Sequence, residues 1–206
     1  SVYSLICDME WHVPAGETTS CGGVAMMRVS AIEQAGRFND TLTSGEEPEL
    51  CVRIRALGYR VRRIDVPMAT HDADMTRFSQ WWSRNVKSGF GTTQSAWAQR
   101  RGNDRTELLA LRSILIWAVL IPGASVGLAW LTRGVSLAGL LLIPLQAMRV
   151  ASHRCLYGWM TMLGKFPHLV GVIQCICLCV LLPTHADVAD CEQARRSAEP
   201  VVVQEQ

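Results

Sequence analysis

A chain of 206 residues that is 49% hydrophobic and 18% charged has ample apolar surface to bury, which excludes a disordered polypeptide. Twenty basic residues face eighteen acidic ones for a net charge of +2, a balance that argues against nucleic-acid binding driven by bulk charge. The mean hydropathy of +0.16 is high for a soluble protein, and most of the apolar excess lies after residue 107. Composition thus predicts a soluble part followed by a membrane part.

Ser1–Asp8 reads as an apolar, strand-like stretch without the basic start and cleavage site of a secretory signal. It opens in mid-pattern, so the chain is expected to be a C-terminal portion of something longer. Ser20–Met27 is a Gly-containing apolar stretch that leads to Arg28. Val29–Ala35 then predicts a short helix closed by Gly36, and Phe38–Ser44 a turn and loop. Glu46–Leu57 is a well-marked helix, with Leu50, Ile54 and Leu57 at helical spacing and Gly58 as its C-terminal cap. Glu49 and Arg53 stand four apart, a favourable surface pair. Tyr59–Val66 alternates apolar and basic residues like a strand with one buried face, and Pro67 ends it. Thr76–Ser88 predicts a helix rich in aromatic residues and arginine that stops at Gly89 and Gly91.

The chemistry changes after a basic linker over 100–107. Leu108–Leu131 is almost wholly apolar and long enough to cross a bilayer core, which takes about 20 helical residues. Val135–Val150 follows after Thr132, Arg133 and Gly134, so residues 108–150 are expected to form a transmembrane hairpin; two buried helices of a soluble bundle are the alternative. Basic residues flank it at Arg100, Arg101, Arg105, Arg112, Arg149 and Arg154, which places both ends and the soluble part in the cytoplasm. Residues 151–183 carry a third apolar stretch, Phe166–Leu182, that either lies in the membrane interface or spans. Residues 184–206 are polar and expected to be a disordered tail. The eight cysteines include no C-x-x-C pair. Cys175, Cys177 and Cys179 alternate in an apolar run, but a helix splays them over different faces, and reduced thiols are the simpler reading.

Candidate chemistry concentrates between Cys21 and Gly89. Glu46 and Glu47 stand at a helix start, where carboxylates often serve as dipole partners. Here they follow a flexible Gly-rich turn and precede a strand and a His-Asp cluster, a layout suited to an active site. Gly22 and Gly23 either let a ligand approach the backbone closely or make a tight turn. Tryptophan faces at Trp81 and Trp82 suit sugar rings, and Arg84 or Lys87 suits a phosphate; the alternative is a helix anchored at a membrane surface.

The ordered run Gly45, Glu46, Glu47, Leu50, Arg53 and Gly58, preceded by CGGVAMMR and Gly36, resembles the family 2 glycosyltransferases, inverting enzymes of the GT-A fold. The resemblance covers residues 1–90, with Glu47 standing where that family usually has Asp. It implies an α/β fold: residues 1–99, including an interface helix over 76–88, would be the C-terminal part of a Rossmann-like GT-A domain, followed by the transmembrane hairpin. It also implies that Glu47 is the general base that deprotonates the acceptor, that Glu46 and Gly45 shape the acceptor site, and that Gly22 and Gly23 admit substrate. Gln80, Trp81, Trp82 and Arg84 resemble the Gln-x-x-Arg-Trp motif of processive synthases, with one residue too many and both tryptophans ahead of the arginine. His71 stands where some relatives supply a metal ligand, although a lone histidine is also a common structural group. A divalent cation, Mg²⁺ or Mn²⁺, is implied, with its main ligands expected upstream of this sequence; Asp72–Ala73–Asp74 comes after the base and is rejected as the missing motif.

HDADMTRFSQWWSRNVKSGFG, the hairpin and GKFPHLVG over Gly164–Gly171 also resemble membrane-bound members of cell-envelope or exopolysaccharide synthesis. The expected function is therefore transfer of a sugar from a nucleotide-sugar donor to a lipid-linked or saccharide acceptor, with inversion, at a bacterial-type plasma membrane. These residues alone are expected to be inactive. The alternative is a non-catalytic membrane scaffold in an envelope-glycan assembly complex. A hydrolase using Glu46 and Glu47 fails on geometry, because neighbouring carboxylates cannot straddle a glycosidic bond at separations of about 5–9 Å.

Overall fold

The structure, a computed structural model, describes residues 1–11, 14–40, 42, 44–66, 68–69, 74–99, 105–151 and 155–181, with side chains through residue 178. His71, Asp72, most of the 100–107 linker and the 184–206 tail lie outside the described residues.

The chain begins with a helix, α1, over Val2–Trp11. This corrects the strand-like expectation for Ser1–Asp8, and the reason is a period: Tyr3, Cys7 and Trp11 recur every four residues and so share a helix face. That face packs on Met75, Trp81, Trp82 and Met160. The first strand is β1, Gly16–Thr18, antiparallel to β2, Val61–Arg63, with Gly16 opposite Arg63 and Thr18 opposite Val61. The predicted strand over Tyr59–Val66 is thus trimmed to its centre. Residues 21–28 form no strand, and Val24 and Met26 are exposed, because no neighbouring strand supplies a ladder. Among the described residues this one two-stranded ribbon carries the β structure.

Two short helices follow with matching ends. α2, Val29–Gln34, and α3, Glu46–Ala56, each close on a glycine in the left-handed region, Gly36 at φ 83° and Gly58 at φ 87°. Gly36 N–H donates to Glu33 O and Arg37 N–H to Ile32 O; Gly58 N–H donates to Arg55 O and Tyr59 N–H to Ile54 O. These paired bonds satisfy the last free carbonyls of each helix. α3 buries Leu50, Cys51 and Ile54, whereas Leu57, expected on that face, is half exposed.

α4 runs from Phe78 to Ala98, ten residues past the predicted stop at Ser88. Glycine inside a helix costs about 1 kcal/mol relative to alanine, which is why Gly89 and Gly91 looked like punctuation. Close packing offsets that cost. A Cβ on Gly89 would overlap the backbone of His168, and one on Gly91 would meet Ser44 Oγ. The opposing helix, α8, spans Cys155–Leu181 and presents Gly171, whose Cβ would overlap Val86 O and lie 2.6 Å from Phe90 N. Two backbones cross here in near contact.

The apolar half continues the theme of small residues inside. α5, Thr106–Leu115, a π segment, Ile116–Leu120, and α6, Ile121–Gly127, form one continuous helix. The wide turn precedes Pro122, whose ring excludes the carbonyl four residues earlier from its ordinary bond. A turn at residues 128–134 leads to a 3₁₀ stretch, Val135–Leu141, and α7, Leu142–Ala151, with Pro144 in its first turn where a missing N–H is tolerated. Thr106–Gly127 and Cys155–Leu178 are long and apolar enough to cross a membrane; Val135–Ala151 is a shorter apolar helix. The third apolar stretch therefore starts eleven residues before the predicted Phe166. Ala118, Ser125, Ala147 and Ala151 are buried, while Leu120, Val126, Leu141 and Leu145 are exposed.

Candidate functional site

The N-terminus of α3 is built around Gly45. Its φ of 84° places it in the left-handed region, and its carbonyl accepts bonds from Glu49 N–H and Ser95 Oγ, each at 3.2 Å. A Cβ there would lie 2.5 Å from Ser95 Oγ. Gly45 thus ties the start of α3 to α4 and aims the first helical turn, which carries Glu46, Glu47 and Glu49. Three carboxylates at this end meet the positive pole of the helix dipole. They have different surroundings. Glu49 is buried and bonded by both oxygens to Arg53, at 2.8 and 2.6 Å, and Arg53 Nη1 also donates to Ala35 O at the end of α2. The expected exposed pair is therefore a largely enclosed clamp between two helices.

Glu46 and Glu47 are half-buried, and Glu47 faces the Gly-rich loop. A Cβ added at Gly23 would sit 3.4 Å from Glu47 Oε1, while Gly22 has open space around it. Neither glycine has a positive φ, so small size rather than backbone freedom is what this loop uses. The structure thereby joins Gly22, Gly23, Gly45, Glu46 and Glu47 in one place.

Two cysteines that sequence reasoning passed over belong to the same place. Cys51 stands four residues after Glu47 on α3, and its sulfur is 3.5 Å from that of Cys21. The Cys21 thiol donating to Cys51 holds Cys51 down at about 6, helped by the Arg55 charge; the same bond and burial push Cys21 up. The four-residue spacing of Glu47 and Cys51 was a signal available in the sequence.

The Gln80–Arg84 cluster lies elsewhere. Ser95, which touches Gly45, is eleven residues beyond Arg84, about 16 Å along α4 at 1.5 Å per residue. Gln80 folds back to cap α4, its Oε1 accepting from Thr76 N–H and Arg77 N–H at 2.9 and 2.8 Å. Trp81 is 1% exposed and belongs to the core with Cys7 and Met75, which corrects its assignment as a sugar platform. Trp82 packs partly on that core. Arg84 forms an ion pair with Glu10 at 2.7 Å and lies over the Trp11 ring, so it fastens α1 to α4. Among the described residues no three His, Cys, Asp or Glu side chains converge to hold a metal. The candidate ligand His71 lies outside the described residues.

Over 131 residues, 62% of this chain, the sequence is 30% identical to the pre-mycofactocin glycosyltransferase of two strains of Mycobacterium tuberculosis. The match covers 25% of those proteins, so the chain spans about a quarter of the length of the curated relatives it matches. No protein-family profile and no solved structure matches the chain. The similarity supports a relationship to glycosyltransferases.

Proposed function

We propose that this chain carries the acceptor-activating part of an inverting family 2 glycosyltransferase of the GT-A type, held at a bacterial-type plasma membrane with its catalytic part in the cytoplasm. The observation that carries the reading is the half-buried Glu47 at the head of α3, with open backbone at Gly22 and Gly23 in front of its carboxylate. Inverting transfer is an in-line displacement at the anomeric carbon: the acceptor oxygen attacks as the nucleoside diphosphate leaves, and the acceptor proton must go to a base on the attacking side. Glu47 accepts that proton. Glu46 borders the acceptor, and the small loop residues leave room for a sugar or lipid-linked saccharide. The nucleotide-sugar donor brings concentrated negative charge at its diphosphate, the part of the reaction for which a divalent cation is the usual partner. The described residues offer it no three-ligand site.

The membrane part of the proposal rests on size as well as polarity. Thr106–Gly127, at 22 residues, spans about 33 Å as a helix, and the second arm gains length from its 3₁₀ half to reach about 29 Å. Both match a hydrocarbon core of about 30 Å. Arg105 precedes the first arm, Arg112 lies in its second turn and Arg149 near the end of the second arm, against Arg133 alone in the turn.

Glu47→Gln in the active enzyme tests the assignment, because it keeps size and hydrogen-bonding reach and removes the proton acceptor. Turnover is expected to fall by about 10²–10⁴-fold with donor affinity near wild type. Glu46→Gln is expected to cost less. Near wild-type turnover in Glu47→Gln would remove the base from the reading.

A further inference from the structure

Cys21 and Cys51 form a contact to which the proposed sugar transfer assigns no role. Their sulfurs are 3.5 Å apart, and a disulfide requires about 2.05 Å, so closure asks for a movement of about 1.5 Å. The loop is the side that can move: residues 21–28 have no strand partner and Gly22 has no neighbour within 4 Å of a Cβ position. Cys51 is fixed on α3 and 1% exposed, while Cys21 is half-buried and reachable from solvent. We propose that Cys21 and Cys51 are a thiol–disulfide site, oxidised by low-molecular-weight disulfides, that pins the Gly-rich loop onto α3 next to Glu47.

The chemistry balances on the pair as a monoanion with one proton shared between two sulfurs. The Cys21 bond and the Arg55 charge keep Cys51 below the ordinary thiol range, so this monoanion is present at neutral pH. Exposure decides which sulfur a reagent meets. Cys51, the thiolate of the pair, takes the Cys21 proton as the Cys21 sulfur attacks the reagent; a bond forms between Cys21 and one reagent sulfur, the reagent's own S–S bond breaks, and one reagent thiolate leaves. Cys51 passes its proton to that thiolate and attacks the Cys21 sulfur, expelling the second reagent thiolate. The two cysteines lose two electrons, and the reagent becomes one thiol and one thiolate. Intracellular disulfides of this kind are transient and redox-sensing rather than structural.

The test uses the full 206-residue chain in buffers of oxidised and reduced glutathione, with acid quenching, alkylation of remaining thiols and peptide mapping without reduction. The expected product is a Cys21–Cys51 linked peptide as the dominant intramolecular disulfide. In Cys51→Ser, Cys21 is expected to hold glutathione as a mixed disulfide at about ten times its wild-type level, because the resolving thiol is gone. In Cys21→Ser, Cys51 is expected to stay unmodified. The proposal is overturned if wild-type Cys21 and Cys51 remain reduced while exposed Cys155 and Cys177 take up glutathione, or if wild-type Cys21 accumulates the mixed disulfide. The wild-type measurement needs no variant to fold and no sugar transfer, so its failure is separate from any failure of the Glu47 assignment.

Discussion

A methyl group on Gly45 would lie 2.5 Å from Ser95 Oγ and would force an L side chain to hold φ at 84°. The left-handed conformation alone costs about 1–2 kcal/mol for a non-glycine residue, so Gly45→Ala is expected to lower stability by at least that much, read as a shifted denaturant midpoint. Gly23→Ala is expected to behave differently. Its new Cβ would make an ordinary 3.4 Å contact with Glu47 Oε1, so stability should change by less than about 0.5 kcal/mol while the acceptor KM rises and the donor KM holds. An unchanged acceptor KM would take Gly23 out of the site. The Cys21–Cys51 pair has a pH signature. Cys51 is held down at about 6 by the Cys21 thiol and Arg55, with Glu47 opposing, so disulfide formation should slow only as pH falls through about 6. A rate that already falls below the usual thiol range near 8.5 would contradict a shared proton. The position of Glu47 in the first turn of α3 was legible from the helical spacing of Leu50 and Ile54 and from Gly58 at the helix end. The meeting of Cys21 with Cys51 was not, because it depends on how a loop without regular structure lies over a helix.

Helix ends and helix interiors use glycine for opposite reasons, and the sequence alone does not distinguish them. Gly36 and Gly58 end α2 and α3 through a left-handed φ, as their positions suggested. Gly89 and Gly91 lie inside α4 because α8 and Ser44 come too close for a side chain, and that neighbour is known only once the fold is known. The same substitution should therefore have opposite signs at two positions. Gly171→Ala meets the backbone of Val86 and Phe90 and is expected to cost about 1–3 kcal/mol, whereas Gly123→Ala enters open space within α6 and is expected to be neutral or to stabilise by up to about 1 kcal/mol. Thermal midpoints of the two variants check this. In the same way, α1 was misread because apolar character was weighed ahead of its four-residue period, and the Glu49–Arg53 clamp was underestimated because pairwise spacing says nothing about burial. Glu49→Gln is expected to cost about 2 kcal/mol, since it weakens a charged, largely enclosed bond that also holds the end of α2 through Arg53.

At the scale of the whole chain, the concentration of apolar helices after residue 105 was legible from hydropathy, but the packing of α8 against α4 was not. Its outward stripe of Leu156, Trp159, Leu163, Val170 and Ile173 is apolar, while its inward face is shaped to α4 and α7. If the proposed hairpin crosses the membrane, a reporter placed in the 128–134 turn should be found outside the cytoplasm and one ahead of Thr106 inside. Both on one side would refute the hairpin. The crossing of Gly89 with Gly171 also sets an order of events during synthesis. α4 leaves the ribosome roughly eighty residues before the helix that fills its glycine groove, an interval of about 4–16 seconds at 5–20 residues per second. Through that interval the apolar hairpin is being made, and the part of α4 around Gly89 that packs on α8 lacks its partner. The packing around Gly89 is therefore completed only after the C-terminal helix arrives, so a nascent chain stalled between residues 128 and 150 should be captured by holdase chaperones and cut within α4, whereas the released chain should be resistant there.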